Sequence, residues 1–185
     1  MDKVQNAIEA LKTGKTILYP TDTVWGLGCD ATNSDAVEKI KTLKNRPEDK
    51  SFIILVNSVA MLERYVIDFP EVCYDLIDLS DKPLTIIYDT PKGVAPNALN
   101  RDGSIAVRVT TDKLCRQIIQ GLRKPIISTS ANLSGEKLPK CFNEISDAIK
   151  KGVDLIIDER TEELMDRPSS IIKVKQDNTI QIIRK

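Results

Sequence analysis

The chain contains no histidine at all. That absence excludes Ser-His-Asp and Cys-His catalysis in their usual forms, and most zinc sites. An excess charge of either sign is also missing, with 27 Lys and Arg against 27 Asp and Glu in 185 residues. No global field therefore draws the protein to nucleic acid or membrane, and any anion site has to be a local cluster of cations. Aromatic residues are scarce, at 4% with one tryptophan, whereas RNA-binding modules combine a basic excess with interleaved aromatics. The four cysteines, Cys29, Cys73, Cys115 and Cys141, are widely spaced and form no C-x-x-C pair. With no signal peptide and no apolar run long enough to cross a bilayer, the expected location is cytoplasmic, with reduced thiols and no membrane partner.

What is present is the apolar content of an ordinary globular protein, 41%, in a length that suits one domain over residues 1–185. Val4, Ala7, Ile8 and Leu11 recur at helical spacing and Gly14 follows as a stop. Thr16–Tyr19 reads as a buried strand, and Asn33 or Ser34 caps a helix whose buried face is Ala36, Val37, Ile40 and Leu43, ended by Pro47. Phe52–Val56 has the unbroken apolar run of an interior strand. Helices are expected at 59–65, 71–79, 112–122 and, capped by Asn143, up to Lys151. Further strands are expected at 84–88, 104–109, 125–128, 153–157, 170–174 and 179–183, the last two joined by a hairpin turn at Gln176–Asn178. Glu159–Pro168 reads as a mobile polar loop. Interleaved helices and strands predict an α+β domain of mixed layers, a twisted and mostly mixed sheet flanked by helices.

Four stretches carry candidate chemistry. Tyr19–Asp30 ends a strand in hydroxyls around a carboxylate, Thr21, Asp22 and Thr23, and continues to Gly26 and Gly28. The glycines read as points of close approach, because the third glycine and following helix of a dinucleotide fingerprint are missing. Strict alternation would set Thr21 and Thr23 on one face and Asp22 on the other. Trp25 and Cys29 read as packing residues. Lys44, Arg46 and Lys50 gather three cations where a helix gives way to a strand, either offsetting the helix dipole or binding polyphosphate. Ser128–Gly135 follows a strand with four hydroxyls and the amide of Asn132, either an anion or nucleotide cradle or a capped turn. Arg108 interrupts an apolar strand and Arg184 ends the last one, each a snorkelling edge residue or an anion ligand.

Taken in order, these segments resemble the YrdC/TsaC family, the threonylcarbamoyl-AMP synthases of tRNA modification. The match rests on Y-P-T-D-T-x-x-G-L-G-C-D at Tyr19–Asp30, K-x-R-P at Lys44–Pro47, S-x-A-V-R at Ser104–Arg108, S-T-S-A-N-x-S-G at Ser128–Gly135, S-S-I at Ser169–Ile171 and I-I-R at Ile182–Arg184. The resemblance implies a YrdC/RibB-like sheet with a concave central cleft. It also implies a nucleotidyltransferase that makes threonylcarbamoyl-AMP and pyrophosphate from L-threonine, bicarbonate or CO2, and ATP. The product would pass to a separate tRNA threonylcarbamoyl transferase complex. By position, Thr23, Arg108, Ser130 and Ser169 would contact threonine. Arg46, Lys50, Ser104, Asn132 and Arg184 would contact ATP, with Lys44 and Arg46 as the catalytic pair and Mg2+ bound through the ATP phosphates. No metal ligand of the protein is implied.

Two departures stand out. The family often has W-P-G-P-L-T where this chain has Ser80–Thr85, and a histidine where it has Leu55. The length fits the single-domain bacterial form. A YciO-like paralogue usually lacks both K-x-R and S-x-N, whereas this chain carries Lys44 with Arg46 and Ser130 with Asn132. The related carbamoyl-transfer domain of hydrogenase maturation sits in much longer chains. An RNA-binding module of the same fold is disfavoured by charge and composition, which leave only weak tRNA contact open.

Overall fold

Burial in a β-strand has period two, and the strands of this chain use it to face a helical layer on one side and a cleft on the other. The computed structural model describes residues 2–46 and 52–185, so Pro47 and Lys50 lie outside the described residues. In chain order these residues form α1 (Lys3–Lys12), β1 (Ile17–Tyr19), β2 (Gly26–Gly28), α2 (Ser34–Lys44), β3 (Ile53–Val56), α3 (Val59–Leu62), α4 (Val72–Asp78), β4 (Leu84–Tyr88), β5 (Ile105–Val109), α5 (Lys113–Leu122), β6 (Ile126–Ser130), α6 (Asp147–Gly152), β7 (Leu155–Ile156), β8 (Ser170–Val174) and β9 (Ile180–Arg184). The described residues build a nine-stranded sheet in the order β7-β1-β2-β6-β3-β5-β4-β8-β9. Parallel ladders join β1 to β7, β3 to β5 and β4 to β8, and the remaining ladders are antiparallel. The sheet is thus mixed and flanked by helices, the expected α+β architecture.

Ala7 and Leu11 of α1, Val37 and Ile40 of α2 and Ile118 and Ile119 of α5 meet Ile54, Ile86, Val107, Ile127 and Ile172 from the sheet in the main core. A smaller cluster on the opposite side gathers Leu18, Trp25, Leu27, Ile145, Ile149 and Met165. Alternation within β1 is visible directly: Ile17 and Tyr19 enter the main core while Leu18 enters the smaller cluster. Trp25 is fully buried with its ring centroid 5.1 Å from that of Phe142, and so packs, as expected. All four cysteines are free, and burial pushes the Cys29 thiol up, leaving it a small buried filler. No helix among the described residues is long and apolar enough to cross a membrane.

Several local expectations needed correction. Helix α6 is capped by Ser146, whose hydroxyl accepts from Ile149 N, and Asn143 sits in a preceding 3-10 turn. Leu43 is half-buried and belongs with the smaller cluster, while Lys44 fills the buried position at the end of α2. The strand expected at 125–128 runs on to Ser130, because Thr129 and Ser130 pair with Leu27 and Gly26 of β2. The loop expected to be mobile at 159–168 is tied down by Arg160, which bonds Asp112 at 2.9 Å, and by buried Met165, whose N–H donates to Lys140 O at 2.7 Å.

Gly28 marks the tightest point of the sheet. A Cβ there would lie 2.7 Å from Ile127 O and 2.7 Å from the Tyr19 ring, whose hydroxyl donates to the same carbonyl. Because backbone cannot step aside as a side-chain tip can, Gly28→Ala is expected to cost about 1–3 kcal/mol of stability, measured by urea unfolding. An unchanged midpoint would show that this close approach relaxes freely.

Candidate active site

Beside the smaller cluster, where Ile149 of α6 meets Leu18 and Leu27, the face of the sheet opposite the main core bears a cleft of about 470 Å³. Its floor is made by alternate strand residues: Ile53 of β3, Ile87 of β4, Ala106 and Arg108 of β5, Ser128 and Ser130 of β6, Ile171 of β8 and Ile183 of β9. The intervening residues Ile54, Ile86, Val107 and Ile127 belong to the main core. Period-two burial therefore decides which side chains of β5 and β6 reach a ligand, and Arg108 is one of them. Thr23 and Val24 form one wall, Arg46 and Asn132 another, and Pro168, Ser169 and Arg184 a third.

Arg108 is 3% exposed. Its Nη1 donates to Thr23 Oγ1 at 2.9 Å, and its Nη2 lies 3.1 Å from a carboxylate oxygen of Asp22. Arg108 Nε is buried with no hydrogen-bond partner among the described residues. The Thr23 side is itself fixed, since Thr21 Oγ1 accepts from Thr23 N at 3.0 Å and bonds Val24 O at 2.7 Å and Thr23 Oγ1 at 3.0 Å. A bend over residues 22–24 builds this cluster. Asp22 and Thr23 both reach the same guanidinium, at different nitrogens. Leu55 pairs with Arg108 in the ladder between β3 and β5, so the residue that departs from the family's histidine shares the arginine's face of the sheet and is fully buried.

The Ser128–Gly135 segment begins as strand rather than loop, so Ser128 and Ser130 are presented by the pleat of β6 and only Asn132 by the turn that follows. Lys44 secures that transition from below. It is 1% exposed, its ammonium donates to the carbonyl of Ser130 and to that of Asn132 at 2.5 Å, and its own carbonyl accepts from Ser134 N at 2.9 Å. Lys44 thus faces the backbone beneath two cleft residues, and the cleft surface there belongs to Arg46. Arg46 reaches Thr129 Oγ1 at 3.4 Å and lies with its guanidinium carbon 4.6 Å from the centre of the Phe52 ring.

On the third wall Ser169, 2% exposed, bonds Thr85 Oγ1 at 2.7 Å. Arg184 donates from Nε and Nη2 to Ser169 O at 3.0 and 2.7 Å. A register shift between Ile171 and Ile172 bends the pairing of β8 with β9, and both Ile183 and Arg184 consequently border the cleft. Burial lowers the Arg184 pKa, and repulsion from Arg108 lowers it further, so the two cations share one field. Ser104 stands apart: it lines a neighbouring hollow with Asn100, Asp102 and Lys173, and donates to Asp102 at 2.6 Å. That bond, joined by the Ser104 N–H and by Lys173, holds the Asp102 carboxyl below its usual range.

The structure therefore brings Thr23, Arg46, Arg108, Ser130, Asn132, Ser169 and Arg184 to one cleft, with Lys44 beneath it and Ser104 beside it. Lys50 lies outside the described residues. Sequence reasoning did not single out Thr85, Thr129 or Glu136. Thr129 sits inside the S-T-S run and Thr85 in the Pro83-Leu84-Thr85 remnant, so both had a signal, whereas Glu136 had none beyond its place after Gly135.

Residues 9–185 match the family model described as Telomere recombination, Sua5/YciO/YrdC. A threonylcarbamoyl-AMP synthase of Vibrio parahaemolyticus is 36% identical over 188 residues, covering 100% of this chain and 99% of that protein. Among solved structures, P. abyssi Sua5 complexed with L-threonine is similar with a TM-score of 0.82 at 26% identity, over 94% of this chain and 52% of that one. E. coli YciO is similar with a TM-score of 0.85 at 27% identity, over 98% of this chain and 88% of that one.

Replacing Lys44 by methionine keeps the length of the side chain but leaves two carbonyls without their ammonium. Lys44→Met is expected to lower stability by about 1–3 kcal/mol and to speed amide exchange at Asn132 and Ser134. Denaturant titration and hydrogen-exchange NMR measure both, and unchanged exchange in this turn would remove Lys44 from that supporting role.

Proposed function

Because this chain belongs to the Sua5/YciO/YrdC family, we propose that it is a threonylcarbamoyl-AMP synthase that condenses L-threonine, bicarbonate or CO2, and ATP, with release of pyrophosphate. The observation that carries this reading is the joint presence in one cleft of Arg108 with Thr23 and of Arg46, Asn132 and Arg184. The family relationship and the threonine held by P. abyssi Sua5 support threonine as the amino-acid substrate.

In this proposal Arg108 takes the threonine carboxylate, using donors that Thr23 and Asp22 leave unspent, and Thr23, Ser130 and Ser169 supply hydroxyls around it. Arg46, Arg184 and Asn132 face the triphosphate, joined by Lys50, with Ser104 at the neighbouring hollow. The threonine amine adds to CO2, in equilibrium with bicarbonate, and loses a proton, giving a carbamate. A carbamate oxygen attacks the α-phosphorus of ATP, the bond to the β-phosphate bridging oxygen breaks, and pyrophosphate leaves. Such a displacement asks the protein mainly to position its reactants and to stabilise charge, which a histidine-free, arginine-lined cleft can do. Among the described residues Glu136 is the one carboxylate residue lining the cleft, and no group of three or more Asp, Glu or Cys suited to a metal occurs. A Mg2+ ion would accordingly be held by the triphosphate oxygens, where it neutralises charge. The adenylate product would then serve a separate tRNA threonylcarbamoyl transferase complex in the cytoplasm, and weak contact of the protein with tRNA is compatible with its neutral surface.

The similarity to E. coli YciO supports a second reading, the same fold without this activity. Pyrophosphate release separates the two: it is expected only when threonine, bicarbonate and ATP are all present, and release that ignores threonine would overturn the synthase reading. Arg108→Lys keeps the charge but loses the planar fork. It is expected to raise the KM for threonine by about tenfold or more, the worth of a charge-assisted hydrogen bond, with the KM for ATP little changed. Steady-state kinetics with each substrate varied in turn measure the split, and equal rises would move Arg108 out of the amino-acid subsite.

A further inference from the structure

We propose that Asp22 is a positioning residue that orients and part-neutralises Arg108 from outside the cleft, reserving this cation for the carboxylate of the amino acid and leaving the polyphosphate to Arg46 and Arg184. The inference rests on the synthase reading above and adds a residue to it.

Three observations carry it. First, the guanidinium is almost wholly buried, at 3% exposure, and such a charge is costly unless it is paired. Asp22, whose side chain is 18% exposed, lies 3.1 Å away and is the carboxylate that pairs with it. Secondly, different atoms of the guanidinium meet the two partners: Nη1 donates to Thr23 Oγ1, while Nη2 forms an ion pair 3.1 Å from Asp22 Oδ1, an oxygen that accepts no hydrogen bond among the described residues. Nε is likewise left unpartnered among the described residues. Thirdly, Asp22 does not line the cleft. It borders a separate cavity of about 210 Å³ with Pro83, Leu84, Val109 and Thr111, whereas Arg108 borders the cleft itself. Asp22 and an incoming carboxylate can therefore hold the guanidinium at the same time.

The electrostatic consequence concerns sorting. Arg46, Arg108 and Arg184 all border the cleft, and a triphosphate with about four negative charges would be drawn to each of them by simple Coulomb attraction. An arginine already paired to a carboxylate offers less to a polyanion but keeps its directed donors for a monoanion that fits them. Arg184, beside which no carboxylate ion pair occurs among the described residues, stays available to phosphate. The second cavity also touches Ser80–Leu84, the segment that departs from the family's W-P-G-P-L-T. This chain thus varies in sequence just behind the carboxylate that pairs with Arg108.

The test is a calorimetric titration of the full chain with L-threonine, and separately with a non-hydrolysable ATP analogue, for the wild type, Asp22→Asn and Asp22→Glu. Asparagine keeps an acceptor and removes the charge, while glutamate keeps the charge and moves it by one methylene. The expected result is a threonine Kd raised about tenfold in Asp22→Asn, the scale of one charge-assisted hydrogen bond, and raised less in Asp22→Glu. The ATP-analogue Kd is expected to be lowered by more than about twofold in Asp22→Asn, where Arg108 is released to the polyphosphate, and to stay within about twofold of wild type in Asp22→Glu. An unchanged ATP-analogue Kd in Asp22→Asn overturns the sorting. A purely structural role would lower thermal stability and leave the threonine Kd of the folded fraction unchanged, and that result overturns the inference. Tighter threonine binding in Asp22→Asn overturns it as well, because Asp22 would then be competing with the substrate. If Asp22→Asn does not fold, the Asp22→Glu titration decides alone, an unchanged threonine Kd being the overturning result. A wild type that binds no threonine at all would instead sink the synthase reading, which keeps the two failures apart.

Discussion

A strand can commit only every second side chain to a given face, and the functional surface of this protein depends on that constraint. Helices α1, α2 and α5 cover one face of the sheet with Ile54, Ile86, Val107 and Ile127 beneath them. The opposite face then carries whatever occupies the intervening positions, and on β5 and β6 these are Arg108, Ser128 and Ser130. A shift of register by one residue would send a guanidinium into an aliphatic core and an isoleucine into the cleft. The apolar packing of one side therefore fixes the polar chemistry of the other, since the core tolerates neither a buried unpaired charge nor the loss of its isoleucines.

Charge is handled locally in a chain whose formal charge is zero. The cations of the site are held by partners of two kinds. Lys44 is spent on backbone carbonyls, Arg108 on a threonine hydroxyl and a carboxylate, and Arg184 on the carbonyl of Ser169. Carbonyl oxygens orient a cation without neutralising it, whereas a carboxylate does both. The choice of partner therefore grades how much attraction each cation retains for an anion. Arg184 thus keeps more of its attraction than Arg108, and its lowered pKa reflects burial and the nearness of Arg108.

Much of this was legible in the sequence, and the reasons differ from residue to residue. Arg108 stood out because an arginine amid Ile105, Ala106, Val107 and Val109 breaks an apolar strand, and such a break needs a partner. The strands at 84–88 and 170–174 were readable to the residue because their β-branched runs are bounded by polar segments. The inward course of Lys44 was not readable, since a lysine in the last turn of a helix is usually solvated there and the chain gives no local sign that two carbonyls some 86 and 88 residues away await it. The extension of β6 through Ser-Thr-Ser was hidden for a related reason: those residues favour turns on their own, and pairing with Gly26 and Leu27 overrode that preference. Alternation placed Asp22 apart from Thr21 and Thr23, and Asp22 does border a separate cavity; what alternation could not show is the bend at 22–24, where the hydroxyl of Thr21 turns back on its own backbone and lets Asp22 and Thr23 reach one guanidinium.

The last strand has one further consequence. Strand β9 has a neighbour on one side only, and every one of its residues is exposed, yet Ile183 and Arg184 complete a wall of the cleft. A sheet edge opens at less cost than the interior strands, which are laced on both sides. A polyanion that bridges Arg184 to Arg46 would close a ring across the concave face that the covalent chain leaves open. By mass action its binding energy would then be shared with the edge. On these terms a nucleotide bound there would brace the sheet edge as well as react.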